Sequence, residues 1–171
     1  MTGLDVQLVV PTAAAMRGLG ERLAGLLRPG DLVVLNGGLG AGKTTLVQGI
    51  GAGLGVRGPV TSPTFVIARI HPSLRGGPAL VHADAYRLGS PAEVDDLDLD
   101  ADTATSVTVV EWGGGLVEGL AQDWLDVSLT PLPGGDGEDE PRAVRLAGQG
   151  DRWAEAAGDV QLALAGAIDP A

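Results

Sequence analysis

The chain of 171 residues has no cysteine, and that absence removes a disulfide framework, a thiolate nucleophile and any cysteine-based zinc site. It is almost as poor in aromatics, with three Trp, one Tyr and one Phe, so a core must be built from Leu, Val, Ala and Ile. Positive charge is scarce as well. Eleven Lys and Arg stand against 22 Asp and Glu, for a formal net charge of −11. A protein that grips nucleic acid unaided needs a basic face to displace counterions from phosphates, so tight, independent binding of DNA or RNA is excluded as an expectation. No uncharged apolar stretch approaches the ~18 residues of a membrane span, and Met1-Thr2-Gly3-Leu4-Asp5 has neither the basic nor the apolar region of a signal peptide. The expectation is a cytoplasmic protein with no membrane association, folded as one domain over 1–171.

What is present is concentrated in one stretch. Leu32-Val33-Val34-Leu35-Asn36 is a short apolar run, and Gly37-Gly38-Leu39-Gly40-Ala41-Gly42-Lys43-Thr44-Thr45 follows it with the P-loop spacing Gly-x4-Gly-Lys-Thr. Each residue type has a task there. Glycines let successive backbone N–H groups curl around phosphate oxygens, Lys43 reaches the β- and γ-phosphates, and the Thr44 hydroxyl suits Mg²⁺. A helix opening near Lys43 adds the partial positive charge of its N-terminus. Lys43 is the only lysine in the chain, while glycine fills 28 positions. With Ser and Thr filling fifteen positions, a lysine placed at random acquires both glycines and the following hydroxyl with probability of about 0.002.

Along the chain, Leu4 to Val10 reads as a strand, Thr12 as the N-cap of a helix to about Arg28, and Asp31 to Asn36 as the strand feeding the loop. Lys43 to about Gly53 is the loop's helix, with Leu46, Val47 and Ile50 as its buried side. A β-type run extends through Val60 to Ile70, and Ala79 to Asp84 is a further strand. Ser90 caps a short helix starting at Pro91, and Glu93 to Asp102 carries six acids, read as a solvated face ahead of a metal or partner site. Ser106 to Val110 is β-branched and ends in Glu111-Trp112. Asp123 to Leu129 and Arg142 to Leu146 are two more strands, antiparallel because no helix separates them, with 131–141 as a mobile hairpin turn. A helix from Asp151 to about Ala167 follows. The pattern predicts an α/β fold: a P-loop NTPase-like three-layer sandwich on a mixed, mainly parallel sheet, with ligand at the C-terminal ends of the parallel strands.

Three stretches add chemistry to the loop. Asp84 ends an apolar strand, where a carboxylate can orient an attacking water or a metal-bound water, or simply cap a turn. His82 shares its face, as a packed histidine or a participant. Glu111 closes a second β-run and has the character of a Walker-B Mg²⁺ ligand, with Trp112 packing against adenine or against the core. Thr61-Ser62-Pro63-Thr64 offers three hydroxyls in a rigid turn of the kind that senses a γ-phosphate.

Gly38-Leu39-Gly40-Ala41-Gly42-Lys43-Thr44-Thr45, Ser62-Pro63-Thr64-Phe65, His82-x-Asp84-x-Tyr86-Arg87-Leu88 and Glu111-Trp112, in this order and spacing, resemble the TsaE (YjeE) family. That family is the small bacterial ATPase of the machinery that makes threonylcarbamoyladenosine at position 37 of tRNAs reading ANN codons. The resemblance implies a Mg²⁺-dependent, P-loop ATPase that works with a TsaB–TsaD heterodimer and meets tRNA only through that complex. It also implies roles: Lys43 and Thr44 on phosphate and Mg²⁺, Asp84 near the γ-phosphate, Glu111 as the second acidic Mg²⁺ site, Trp112 beside it, and Thr61 to Thr64 as a switch-like segment. Lys43, Asp84 and Glu111 are thus the candidate catalytic residues, and Gly38 to Thr45, Thr61, Thr64 and Trp112 the candidate nucleotide contacts. Two other readings of the P-loop stand beside it, a small-molecule or nucleoside kinase and a nucleotide-gated binding protein that never turns over. A GTPase is disfavoured, because the guanine-reading Asn-Lys-x-Asp motif needs a second lysine.

Overall fold

A computed structural model describes residues 3–38, 42–60, 68–84, 105–111, 122–133 and 140–164. Seven strands form one sheet: β1 (Asp5–Val10), β2 (Leu32–Asn36), β3 (Ala68–His71), β4 (Ala79–Asp84), β5 (Ser106–Glu111), β6 (Trp124–Pro131) and β7 (Arg142–Gln149). Among the described residues three helices accompany them, α1 (Ala13–Ala24), α2 (Lys43–Leu54) and α3 (Asp151–Leu164). The strand order is β1-β7-β6-β2-β5-β4-β3. β6, β2, β5 and β4 are parallel neighbours, and β1 points the same way because it is antiparallel to β7, itself antiparallel to β6. Only β3 and β7 run against the rest, so the sheet is mixed and mainly parallel, as the alternation of strand and helix predicts.

Residue choice follows position. β2 and β5 at the centre are near-continuous apolar runs, and all six positions of β5 are buried. Since alternate side chains face opposite ways, both faces of the sheet's centre are covered. On one face Val33, Leu35, Val107 and Val109 join a core with Met16, Leu19 and Leu23 of α1 and Leu46, Val47 and Ile50 of α2. β6 alternates buried Leu125, Val127 and Leu129 with half-exposed Trp124, Asp126 and Ser128. Among the described residues, no helix is long and apolar enough to cross a membrane.

Two boundaries differ from the sequence expectation. Thr12 does cap α1, its hydroxyl accepting from the Ala15 N–H at 3.1 Å. The helix, however, ends at Ala24 and not near Arg28: Gly25, Leu26 and Leu27 each donate to the carbonyl three residues back, tightening the chain into a 3₁₀-like turn that still delivers Leu27 to the core. The β6–β7 ladder is also longer than expected. It pairs Pro131 with Arg142 and continues through a bond from the Leu132 N–H to the Pro141 carbonyl, which leaves a shorter connection than 131–141. Several expectations fall outside the described residues: the β-run before Ala68, the helix at Ser90-Pro91, the acidic segment 93–102, and the connection at 134–139.

α1 and α2 lie unusually close. A Cβ on Gly20 would stand 2.4 Å from the Leu46 carbonyl oxygen, and one on Gly49 would stand 2.2 Å from that of Arg17. This contact holds the helix that begins at Lys43 against the rest of the layer.

Candidate functional site

The geometry starts from register. Leu35 of β2 pairs with Glu111 of β5, and Glu111 pairs with Asp84 of β4. The last turn of chain before the glycine loop and the two acids therefore lie in one row along the C-terminal edge of three adjacent parallel strands. That edge is where an open α/β sheet receives its ligand.

The loop returns to this row through α2. Gly42 sits at φ +100°, ψ 13°, a left-handed conformation that favours glycine, and a Cβ there would also meet Met16 Cε at 3.3 Å. Among the described residues no side chain caps α2 at Gly42, and its first turn has no acid, so the positive end of this twelve-residue helix keeps its charge. An anion suits that arrangement. Lys43, 6% exposed, folds back and donates from Nζ to the Gly37 carbonyl at 2.6 Å and the Gly38 carbonyl at 3.0 Å. Burial pulls its pKa below the ordinary lysine value, while the negative charges of Glu111 and Asp84 act in the opposite sense. The lysine is thus within electrostatic reach of both strand-end acids.

Glu111 is buried, at 4% exposure, and its Oε2 lies 2.5 Å from His82 Nε2. His82 reaches it diagonally, since its own register partner is Val109, two residues earlier. Asp84, Thr44 and Thr45 are half-buried. A divalent cation that prefers oxygen has its candidates in Thr44, Asp84 and Glu111. Among the described residues no group of three or more His, Cys, Asp or Glu forms an all-protein metal cage. Mg²⁺ prefers oxygen ligands of this kind and keeps several waters and substrate phosphates in its shell.

Of the residues expected from sequence, Gly38, Gly42, Lys43, Thr44, Thr45, Asp84 and Glu111 are described and belong to this edge. Leu39, Gly40, Ala41, Thr61, Thr64 and Trp112 lie outside the described residues. The hydrogen bond between His82 and Glu111 is not legible from sequence. Alternation puts His82 on the face of Asp84, but only the β4–β5 register brings Glu111 within reach.

Comparison with known proteins agrees with this geometry. The family model "Threonylcarbamoyl adenosine biosynthesis protein TsaE" matches residues 10–134. The tRNA threonylcarbamoyladenosine biosynthesis protein TsaE of Streptomyces coelicolor is 62% identical over 142 residues, covering 82% of this chain and 95% of that one. Its namesake in Mycobacterium tuberculosis is 54% identical over 118 residues, covering 65% and 70%. The crystal structure of YdiB from Bacillus subtilis superposes with a TM-score of 0.74 at 26% identity, over 95% of this chain and 97% of that one, and the fold is the P-loop NTPase-like one. The matched span runs from the end of β1 past β6 and contains every candidate residue named above, and the chain belongs to the TsaE family.

Proposed function

We propose that this chain is a Mg²⁺-dependent ATP hydrolase of the cytoplasm that supports threonylcarbamoylation of adenosine 37 in tRNAs reading ANN codons, acting with a TsaB–TsaD heterodimer. The observation that carries the reading is Lys43, buried at the head of an uncapped helix and opposed by two acids in register on neighbouring strands.

In this reading the Nζ of Lys43 exchanges the carbonyls of Gly37 and Gly38 for β- and γ-phosphate oxygens, and the N-terminus of α2 faces the same anion. Thr44, Asp84 and Glu111 would hold the cation. Mg²⁺, when bound, neutralises charge developing on the phosphates. Asp84, half-buried at the rim, orients the water that attacks the γ-phosphorus as the bond to the bridging oxygen breaks, giving ADP and phosphate. Gly38 to Thr45, Thr61, Thr64 and Trp112 line the nucleotide. Hydrolysis is slow until the partner completes or orders the site. A net charge of −11 accords with tRNA being met only within the complex.

The test is phosphate release from ATP with and without the heterodimer, for wild type and Lys43→Ala. Stimulation by the heterodimer that disappears with Lys43 is expected. Phosphoryl transfer to a small acceptor, or ATP binding with no turnover in the presence of the heterodimer, would overturn the proposal.

A further inference from the structure

A carboxylate as deep as that of Glu111 needs a donor. His82 supplies one from a ring with no exposure at all, Nε2 lying 2.5 Å from Oε2. Because a carboxylate oxygen accepts, Nε2 carries the hydrogen. In the neutral ring Nδ1 is then an acceptor, and among the described residues that buried atom has no partner. Packing alone does not account for a histidine here. Its strand neighbours Leu80, Val81 and Ala83 are apolar and buried, and an aliphatic side chain would fill the same space without an orphaned ring nitrogen. The polar capacity of the ring is directed at one atom, Oε2 of Glu111.

We propose that His82 is a positioning residue: its Nε2–H fixes the rotation of the Glu111 carboxylate so that the group presents one constant face to the cation site it shares with Thr44 and Asp84. His82 itself touches neither phosphate nor cation and acts only through Glu111. The inference rests on the reading of Glu111 as an acid of the Mg²⁺–nucleotide site. It is independent of whether the nucleotide is hydrolysed or of which partner responds to it.

The experiment follows binding of a fluorescent ATP analogue to the full chain as Mg²⁺ is titrated, for wild type, His82→Leu and His82→Gln, with thermal denaturation to verify folding. Outer donors to metal-site ligands are typically worth about 10–100-fold in affinity or activity. His82→Leu is expected to raise the half-saturating Mg²⁺ concentration by that factor while metal-free binding of the analogue is unchanged. His82→Gln, whose amide can donate to the same oxygen, is expected to recover most of the loss. In a Glu111→Gln background His82→Leu adds nothing, because the two residues act as one unit. A folded His82→Leu with wild-type Mg²⁺ dependence overturns the inference, as does a folded His82→Gln no better than His82→Leu, or additivity with Glu111→Gln. Should His82→Leu fail to fold, His82→Gln decides alone: near-wild-type Mg²⁺ dependence supports the positioning role, and a 10-fold or greater rise overturns it. Failure of the nucleotide site itself is separately visible as a wild-type chain that binds no Mg²⁺–nucleotide.

Discussion

Replacing Gly49 by alanine tests how α2, and with it Lys43 and Thr44, is held in place. The new Cβ would stand 2.2 Å from the Arg17 carbonyl oxygen and 3.0 Å from Arg17 Cα. Carbon–oxygen contacts settle near about 3.3 Å, so α2 must move off α1 by about 1 Å at that point. The obstructing atoms are helix backbone, and no change of rotamer relieves them. Overpacking of this kind costs about 1–3 kcal/mol, while alanine in a helix interior recovers about 1 kcal/mol relative to glycine. The net expectation is a loss of up to about 2 kcal/mol, a fall in melting temperature of up to about 8 °C for a chain of this size. Gly18→Ala is the control within α1. Nothing lies within 4 Å of its would-be Cβ, so only the helix propensity gain remains, worth a rise of about 2–4 °C. Circular dichroism melts of the two variants give the answer, and nucleotide affinity measured alongside should fall for Gly49→Ala alone. If Gly49→Ala melts as high as Gly18→Ala, the helices do not approach as described.

Arg152 of α3 donates to both carboxylate oxygens of Asp31, at 3.1 and 3.0 Å, and to the Leu26 carbonyl at 2.7 Å. Arg152→Met leaves the charge of Asp31, 7% exposed, with the Arg28 backbone N–H as its remaining donor and without its cation, and should cost about 3 kcal/mol in urea unfolding; Arg145→Ala, which breaks the exposed pair with Asp5, should leave the midpoint almost unmoved, and equal effects would refute the distinction. His71 has its pKa lowered from 6.5, first by burial, against a raising bond to the Arg57 carbonyl and with a smaller lowering from the positive charge of Arg69. The unfolded chain therefore binds this proton at a pH where the folded chain does not, so stability falls as pH drops below 6.5 and is flat above it as far as His71 is concerned. Stability curves of wild type and His71→Asn should diverge below pH 6.5 with a slope difference of up to about 1.4 kcal/mol per pH unit, and parallel curves would contradict the assignment.

The legible parts of this fold are those set by local chemistry. The apolar run ending in acid located β4 at Ala79–Asp84 without error, and it located the end of β5 at Glu111, because a buried parallel strand must turn polar where it meets the ligand edge. The N-cap at Thr12 and the start of α2 at Lys43 follow from capping and P-loop spacing. What stayed hidden is non-local. Nothing in Asp5–Val10 says that it pairs at the far edge with Arg142–Gln149, and nothing in His82 says that Glu111, 29 residues on, takes its hydrogen bond. The helical period of Leu26 and Leu27 misled for a different reason: a 3₁₀-like turn keeps Leu27 buried while ending the α-helix at Ala24.

The central claim is that Lys43, opposed by Asp84 and Glu111, holds one Mg²⁺-bound ATP per chain. Titration calorimetry of ATP into wild type and Lys43→Ala, with Mg²⁺ present and melting curves confirming that both are folded, tests it most directly. The account predicts a stoichiometry of one for wild type and no measurable binding for Lys43→Ala. Equal binding by the two proteins, or none by wild type, would contradict it.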